Sequence, residues 1–309
     1  MIETVVSVGL PIDEKLIIQK QHIAPKTVTP GTKRISVVTG THGDELEGQY
    51  VCYELIRRIN KDIGSLSGIV DVYPALNPLG IDSITRGIPG FDLDMNRTFP
   101  GACGGTMAEH VAYKIAEDIK GSDVCVDIHA SNIFLREIPQ VRISEQMADE
   151  LVPLAKKLNI DFVWVHSAAT VLQSTLAHSL NTVGTRTLVV EMGVGMRITL
   201  DYCSALVDGI LCLMKELGIW SGDTVSPREP IVSTDGNVGF INASTSGLFV
   251  PAVTHSKNVK CGDRIGDIVS PLTGMLEDEV LSPCSGLVFT LREYPVVDEG
   301  SLIARILEI

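Results

Sequence analysis

From Ile35 onward, short runs of β-branched residues alternate with stretches whose apolar positions recur at helical spacing. Ile35-Ser-Val-Val predicts a strand that leads through Gly40-Thr-His-Gly into a helix carrying Leu46, Tyr50, Val51, Leu55 and Ile59. Ile69-Val-Asp-Val-Tyr predicts the next strand; a long Gly- and Pro-rich loop follows, and then a helix fits Met107 to Ile119. Val124-Cys-Val-Asp-Ile, Phe162-Val-Trp-Val and Thr187-Leu-Val-Val predict three further strands, with helices expected over Ser144 to Leu158 and Asp201 to Leu217. This is the alternation of an α/β protein whose largely parallel sheet is flanked by helices.

The helical periodicity stops after Leu217. Gly218, Gly222 and the Pro227 to Pro230 segment interrupt it, which predicts a boundary near residue 223 between residues 1–222 and 223–309. The second part is rich in Gly, Val, Ile and Pro, with alternating runs such as Gly286-Leu-Val-Phe-Thr-Leu, and reads as a small all-β module.

Composition narrows the class. The chain has 309 residues, 45% of them hydrophobic, enough for a sizeable buried core. No apolar stretch reaches the roughly 20 residues of a membrane helix, and Met1-Ile2-Glu3-Thr4 lacks the basic start of a secretion signal, so a cytoplasmic address is the expectation. The seven cysteines are scattered and never spaced as Cys-x-x-Cys, which argues against a disulfide framework or a thiolate zinc knuckle. A formal net charge of −13 disfavours nucleic acid and anionic membranes as partners but leaves a local anion site open.

Against this background three groups of residues stand out. His42 and Glu45 lie where the first strand hands over to its helix, and His129 follows the strand Val124 to Ile128, so all three can meet at the carboxyl edge of the sheet. Two imidazoles and a carboxylate with a fourth position open make a catalytic zinc site; histidines that merely end strands are the alternative. Glu191 follows the strand Thr187 to Val190 at the same edge and can take a proton from a water that zinc activates, or can be an ordinary cap or surface carboxylate. The loop Arg86 to Gly101 is long and specific in composition. There Arg97 can clamp a substrate carboxylate, Asn96 can add a hydrogen bond and Arg86 can stabilise an oxyanion, unless the arginines simply pair with Asp92 or Asp94.

Gly-Thr-His42-Gly-Asp-Glu45, Asn77-Pro, Asp94-Met-Asn96-Arg97-Thr-Phe-Pro-Gly, Asp127-Ile-His129 and Val190-Glu191-Met-Gly resemble, in order, the succinylglutamate desuccinylase/aspartoacylase family of the zinc carboxypeptidase superfamily. The resemblance implies a carboxypeptidase-like three-layer α/β/α core with a mixed, largely parallel sheet. It implies one zinc ion per chain on His42, Glu45 and His129, Glu191 as general base, Arg86 as the carbonyl-polarising arginine, and Asn96 with Arg97 as the carboxylate clamp. Asp127 is expected to accept a hydrogen bond from a ligating imidazole, with a structural salt bridge as the alternative. The stretch Ala130 to Gln140 matches neither the aspartoacylase nor the desuccinylase branch, and neither Arg186 nor Tyr294 is assigned a role, so the acyl group stays open.

The C-terminal part, with Val259-Lys-Cys-Gly-Asp263 and Glu279-Val-Leu-Ser-Pro-Cys-Ser-Gly286, looks like a biotinyl/lipoyl-type barrel-sandwich. Its hairpin stretch Ser270 to Glu277 holds no lysine, so a lid, wall or assembly surface is expected there and no covalent cofactor. The expected activity is hydrolysis of an N-acyl amino acid or related small amide bearing a carboxylate. The rivals are a metallocarboxypeptidase acting on peptides and a non-catalytic ligand-binding homologue; homo-oligomerisation stays open.

Overall fold

The computed structural model describes residues 1–90, 93–167, 173–234 and 237–308. Among the described residues eight strands precede residue 223: β1 (Ile2–Gly9), β2 (Lys15–Ile23), β3 (Arg34–Thr39), β4 (Ile69–Tyr73), β5 (Val124–His129), β6 (Leu135–Ser144), β7 (Phe162–His166) and β8 (Arg186–Gly193). They pair in the order β1-β2-β4-β3-β5-β8-β6-β7. The centre, β4-β3-β5-β8, is parallel, while β2 joins β4 and β6 joins β8 in antiparallel fashion. The sheet is therefore mixed.

Helices cover both faces. On one side α1 (Glu47–Lys61), α4 (Ala148–Ala155) and α6 (Leu200–Glu216) pack Val51, Leu55, Leu151, Leu206 and Ile210 onto Ile35, Val126, Val141 and Val190 of the strands. On the other, α3 (Met107–Ile119) and α5 (Leu176–Thr182) bring Val111, Ile115, Leu176 and Leu180 against Val38 and Cys125. The short α2 (Pro78–Ser83) follows β4 and is capped by the Asn77 side chain, which accepts from the Gly80 amide. The expected helix at Met107 has that start because Thr106 and Glu109 form a reciprocal capping box.

Because side chains alternate along a strand, the residues between those core positions share the α3/α5 face. That places Asp127 and His129 of β5, Thr187, Val189 and Glu191 of β8, and Gln140 and Arg142 of β6 on one side of the sheet.

Among the described residues no α-helix follows Glu216. The remaining strands are β9 (Ile231–Thr234), β10 (Val238–Asn242), β11 (Gly247–Pro251), β12 (Asn258–Val259), β13 (Arg264–Val269), β14 (Leu276–Leu281), β15 (Gly286–Arg292), β16 (Val296–Val297) and β17 (Leu302–Glu308). A separate antiparallel sheet, β14-β13-β11-β16, packs against β10, β15 and β17 around Phe249, Ile265, Ile268, Val288, Ile303 and Ile306. This is the small all-β part, but it is stitched into the main sheet: β9 pairs with β7, and Thr290–Arg292 of β15 pair with Leu135–Glu137 of β6.

Besides the short helices α2 and α5, which were not expected, two features differ from the pattern read along the chain. The β1–β2 hairpin escapes because its inward positions include Lys20, buried by pairing with Asp71 and Asp118 at 3.4 and 2.8 Å, which breaks the apolar alternation. Strand β6 occupies a stretch with no expected element, and the helix expected from Ser144 begins only at Ala148 after a turn at Glu145–Met147. Pro139 sits where the β6–β8 register shifts between Glu137 and Gln140, an irregularity that tolerates a proline the regular ladder does not.

Candidate active site

The turn after β3 carries His42 and Glu45 over the carboxyl end of the sheet. Gly43 is required there: a Cβ at this position would overlap the Gly80 carbonyl of α2, so the turn packs directly on that helix. His129 is the last residue of β5 and Glu191 is its register partner in β8. Separate segments thus converge at one point of the rim.

His42, Glu45 and His129 are all buried, and one ligand atom from each lies within 4.8 Å of the others. The two Nδ1 atoms are 3.3 Å apart and embrace the Glu45 carboxylate, His42 Nδ1 lying 2.7 Å from Oε1 and His129 Nδ1 2.9 Å from Oε2. Each imidazole is backed on its other nitrogen by an acid. His42 Nε2 is 3.0 Å from Asp94 Oδ1, and His129 Nε2 is 3.3 Å from Asp127 Oδ1, close but without hydrogen-bond alignment. Asp127 is buried with neither carboxylate oxygen hydrogen-bonded, a costly state unless positive charge stands nearby.

The electrostatics follow from this crowding. Burial opposes protonation of His42 and His129, yet Asp94 and Glu45 around the first and Asp127 and Glu45 around the second outweigh it and raise both above the usual imidazole value. Burial also works against ionised Glu45 and Asp94, but the imidazoles hold both below the usual carboxylate range, Asp94 at about 2. Three carboxylates surround two imidazoles in a cage, and Arg86 adds a further cation against Glu45. The donor set of this cage, two imidazole nitrogens and a carboxylate with carboxylates behind them, fits a divalent metal of the zinc type.

Glu191 faces this cage from β8. Burial raises its carboxyl above the ordinary value, with the Arg142 guanidinium, 3.4 Å away, opposing the shift. Gly193, two residues on, has a positive φ of 70°, and a Cβ there would overlap the Glu47 carboxylate, so the chain can turn away from the rim only with glycine at that position.

A cavity of about 530 Å³ opens beside the cage. Arg86, Asn96, Arg97 and Glu191 line it, as do Arg142 of β6 and His178 and Asn181 of α5. The loop arginines have different surroundings. Arg86 donates to Glu45 Oε1 at 2.9 Å and lies 4.0 Å from Asp94, so it leans on the cage. Arg97 donates to the Asn96 carbonyl, and among the described residues no carboxylate pairs with it. Asn96 is buried, and its Oδ1 accepts from the Leu176 amide at the start of α5. Asp92, the alternative partner for the arginines, lies outside the described residues.

The remaining positions separate cleanly. Arg186 donates to the Asp123 carbonyl at the opposite end of its strand, and Tyr294 packs edge-on against Phe134; neither lines the cavity. Sequence reasoning missed Asp94 as the acid behind His42, the α5 wall and Arg142. A signal for Arg142 existed in the alternation Gln140-Val-Arg-Ile-Ser144, obscured by Pro139 just before it.

Fold and site together define an α/β/α protein with a His-Glu-His centre able to hold a metal beside an open cavity. The model of the succinylglutamate desuccinylase/aspartoacylase catalytic domain matches residues 31–217, and the chain belongs to that family. It is 24% identical over 280 residues to the N-alpha-acetyl-L-2,4-diaminobutyric acid deacetylase of Halomonas elongata, covering 87% of this chain and 80% of that one. Its fold is similar to a product-bound ectoine utilization protein of Ruegeria pomeroyi, with a TM-score of 0.85 at 19% identity over 100% of this chain and 95% of that one. It is also similar to a succinylglutamate desuccinylase/aspartoacylase of Rhodobacter sphaeroides, with a TM-score of 0.83 at 22% identity over 99% and 95% of the two chains.

Proposed function

We propose that this chain is a zinc-dependent deacylase that hydrolyses the amide bond of an N-acyl amino acid or related small amide. The observation that carries the reading is the placement of Glu191 as register partner of His129, its carboxylate on the cavity wall beside the His42–Glu45–His129 cage. In this reading His42, Glu45 and His129 hold one zinc ion per chain. When bound, zinc supplies Lewis-acid chemistry, acidifying water and polarising a carbonyl.

The protein's own groups do the rest. Glu191 accepts the proton of the attacking water and returns it to the departing amine, a task suited to a carboxyl whose proton affinity burial has raised. Arg97, with no carboxylate partner of its own among the described residues, clamps the substrate carboxylate. Asn96 has its Oδ1 tied to Leu176, which turns its amide NH₂ toward donation. Arg86 draws on the oxygen that becomes negative during attack.

The Halomonas relative, named as a deacetylase of an N-acetylated amino acid, supports a small N-acyl substrate rather than a peptide. The test is a screen of N-acetyl, N-succinyl and N-formyl amino acids against the zinc-loaded chain. Release of a free amine from at least one of them is expected. Release of C-terminal residues from ordinary peptides, with every N-acyl amino acid untouched, would instead make the chain a carboxypeptidase.

A further inference from the structure

Arg142 has no role in the reading above, yet its guanidinium stands against the proposed base. Its Nη1 lies 3.4 Å from Glu191 Oε1, while its Nη2 donates to both oxygens of Glu137 at 3.0 and 2.8 Å. The plane of the guanidinium is fixed further by the Trp164 ring, whose centroid is 5.6 Å from Cζ. The sheet accounts for this arrangement. Arg142 pairs with Val189 in the antiparallel β6–β8 ladder, so Glu191 is its diagonal neighbour on the same face.

Glu137 is 1% exposed, and its carboxylate is saturated by donors from several strands. Besides Arg142 it accepts from Gln140 Nε2 at 3.0 Å, from Arg305 Nη1 of β17 at 2.6 Å and from Thr290 Oγ1 of β15 at 3.3 Å. A buried carboxylate held this way cannot swing, so neither can the guanidinium that grips both its oxygens. The chain Arg305–Glu137–Arg142–Glu191 thus runs from the C-terminal strands to the cavity wall.

We propose that Arg142 is the positioning residue for Glu191, aimed by Glu137, and that Arg305 and Thr290 make the C-terminal strands part of the scaffold that holds the base in place. This rests on Glu191 being the base. The C-terminal strands are, on this view, a fixed rear support. A general base displaced by about 1 Å can lose on the order of 100-fold in rate, which sets the scale of effect.

The experiment compares the full zinc-loaded chain with Arg142→Met, Arg142→Lys and Arg305→Met, measuring zinc content, kcat and KM on N-acetyl amino acids and the crystal structure of each folded variant. Arg142→Met is expected to keep its zinc and to lose roughly 10- to 100-fold in kcat with KM within about threefold of wild type. Arg142→Lys should recover about tenfold of that loss, because the charge returns without the fork. Arg305→Met, which removes no cavity-lining group, should lower kcat by about three- to tenfold at unchanged KM. In the crystals the Glu191 carboxylate should lie about 1 Å from its wild-type position in Arg142→Met and near it in Arg142→Lys.

A rise in KM at constant kcat would overturn the proposal by making Arg142 a substrate ligand. So would a Glu191 carboxylate that stays in place in Arg142→Met. If Arg142→Met does not fold, Arg142→Lys and Arg305→Met decide: the lysine variant should turn over more slowly than wild type at similar KM, and wild-type kcat in both overturns the proposal. Failure of the deacylase reading looks different: the wild type itself then hydrolyses no N-acyl amino acid, and the position of Glu191 in the crystals still decides the role of Arg142.

Discussion

On the metal flank of the cleft, His42 and Glu45 stand three positions apart in a single turn, and only His129 arrives from another strand. On the base flank, Glu191, Arg142, Glu137, Thr290 and Arg305 come from β8, β6, β15 and β17, and no two neighbours in the chain of contacts are closer than five positions in sequence. The first flank is a local device: once the turn after β3 forms over α2, two of the three residues proposed to hold the metal are already side by side. The second exists only when four strands have found their register. Changes on the metal flank should therefore act through metal occupancy, and changes on the base flank through rate at full occupancy.

The largest effect expected is on the metal flank. Removing zinc with a chelator, or replacing His129 with Ala, should drop hydrolysis to the buffer blank, because the attacking water then has no Lewis acid. Re-addition of zinc should restore the chelated wild type and leave the His129→Ala protein inactive. Full activity in a chelated sample with no metal by elemental analysis would break the comparison at its first term.

Next comes Glu191→Gln, which keeps shape and removes basicity. Zinc content should match wild type while kcat falls about 10²- to 10⁴-fold, the range for loss of a general base. Loss of zinc in this variant would show that Glu191 belongs to the metal flank after all.

The same contrast explains what could be read from the chain. The turn motif around His42 and Glu45 and the residues Asp127-Ile-His129 are contiguous, and their chemistry is visible wherever the letters stand together. The parallel core was legible as well, since Ile35, Val124 and Thr187 open β-branched runs separated by helical periods. Arg142 was not legible as a neighbour of Glu191: its partners Glu137 and Glu191 lie five and 49 positions away, and the antiparallel placement of β6 beside β8 brings Arg142 to Glu191. Asp94 was visible only as an alternative partner for the loop arginines, and Arg86 does lie 4.0 Å from it; its contact with His42 was hidden because sequence separation does not show that its loop folds back over that residue. The β1–β2 hairpin was hidden by Lys20, whose burial depends on two aspartates from other elements.

The two acids behind the imidazoles refine the metal flank. Asp94→Asn and Asp127→Asn should each weaken zinc binding by about 10- to 100-fold, as loss of the group that orients a ligating imidazole does, with kcat at saturating zinc little changed. Competition against a chromogenic chelator measures this. A fall in kcat at full occupancy, with zinc affinity intact, would move that aspartate to the catalytic side of the comparison.

The mildest and most diagnostic effect is that of pH on the metal flank. Burial disfavours charge on His42 and His129, but the surrounding carboxylates outweigh it, so both imidazoles hold their protons above the usual value of about 6.5 in the metal-free chain. Stability from these raised groups is fully present below about pH 6.5 and is lost as pH rises through their folded-state values. Metal binding has the opposite sign, because zinc takes neutral imidazoles and must expel the same protons. Zinc affinity should therefore weaken by about tenfold per pH unit for each proton displaced as pH falls, while the melting temperature of the metal-free chain gains from the same protonation. Isothermal titration of zinc at pH 7 in buffers of different ionisation enthalpy counts the protons released, and at least one is expected. A count of zero would mean that the carboxylates around the cage do not charge the imidazoles, and the electrostatic account of the metal flank would fall with it.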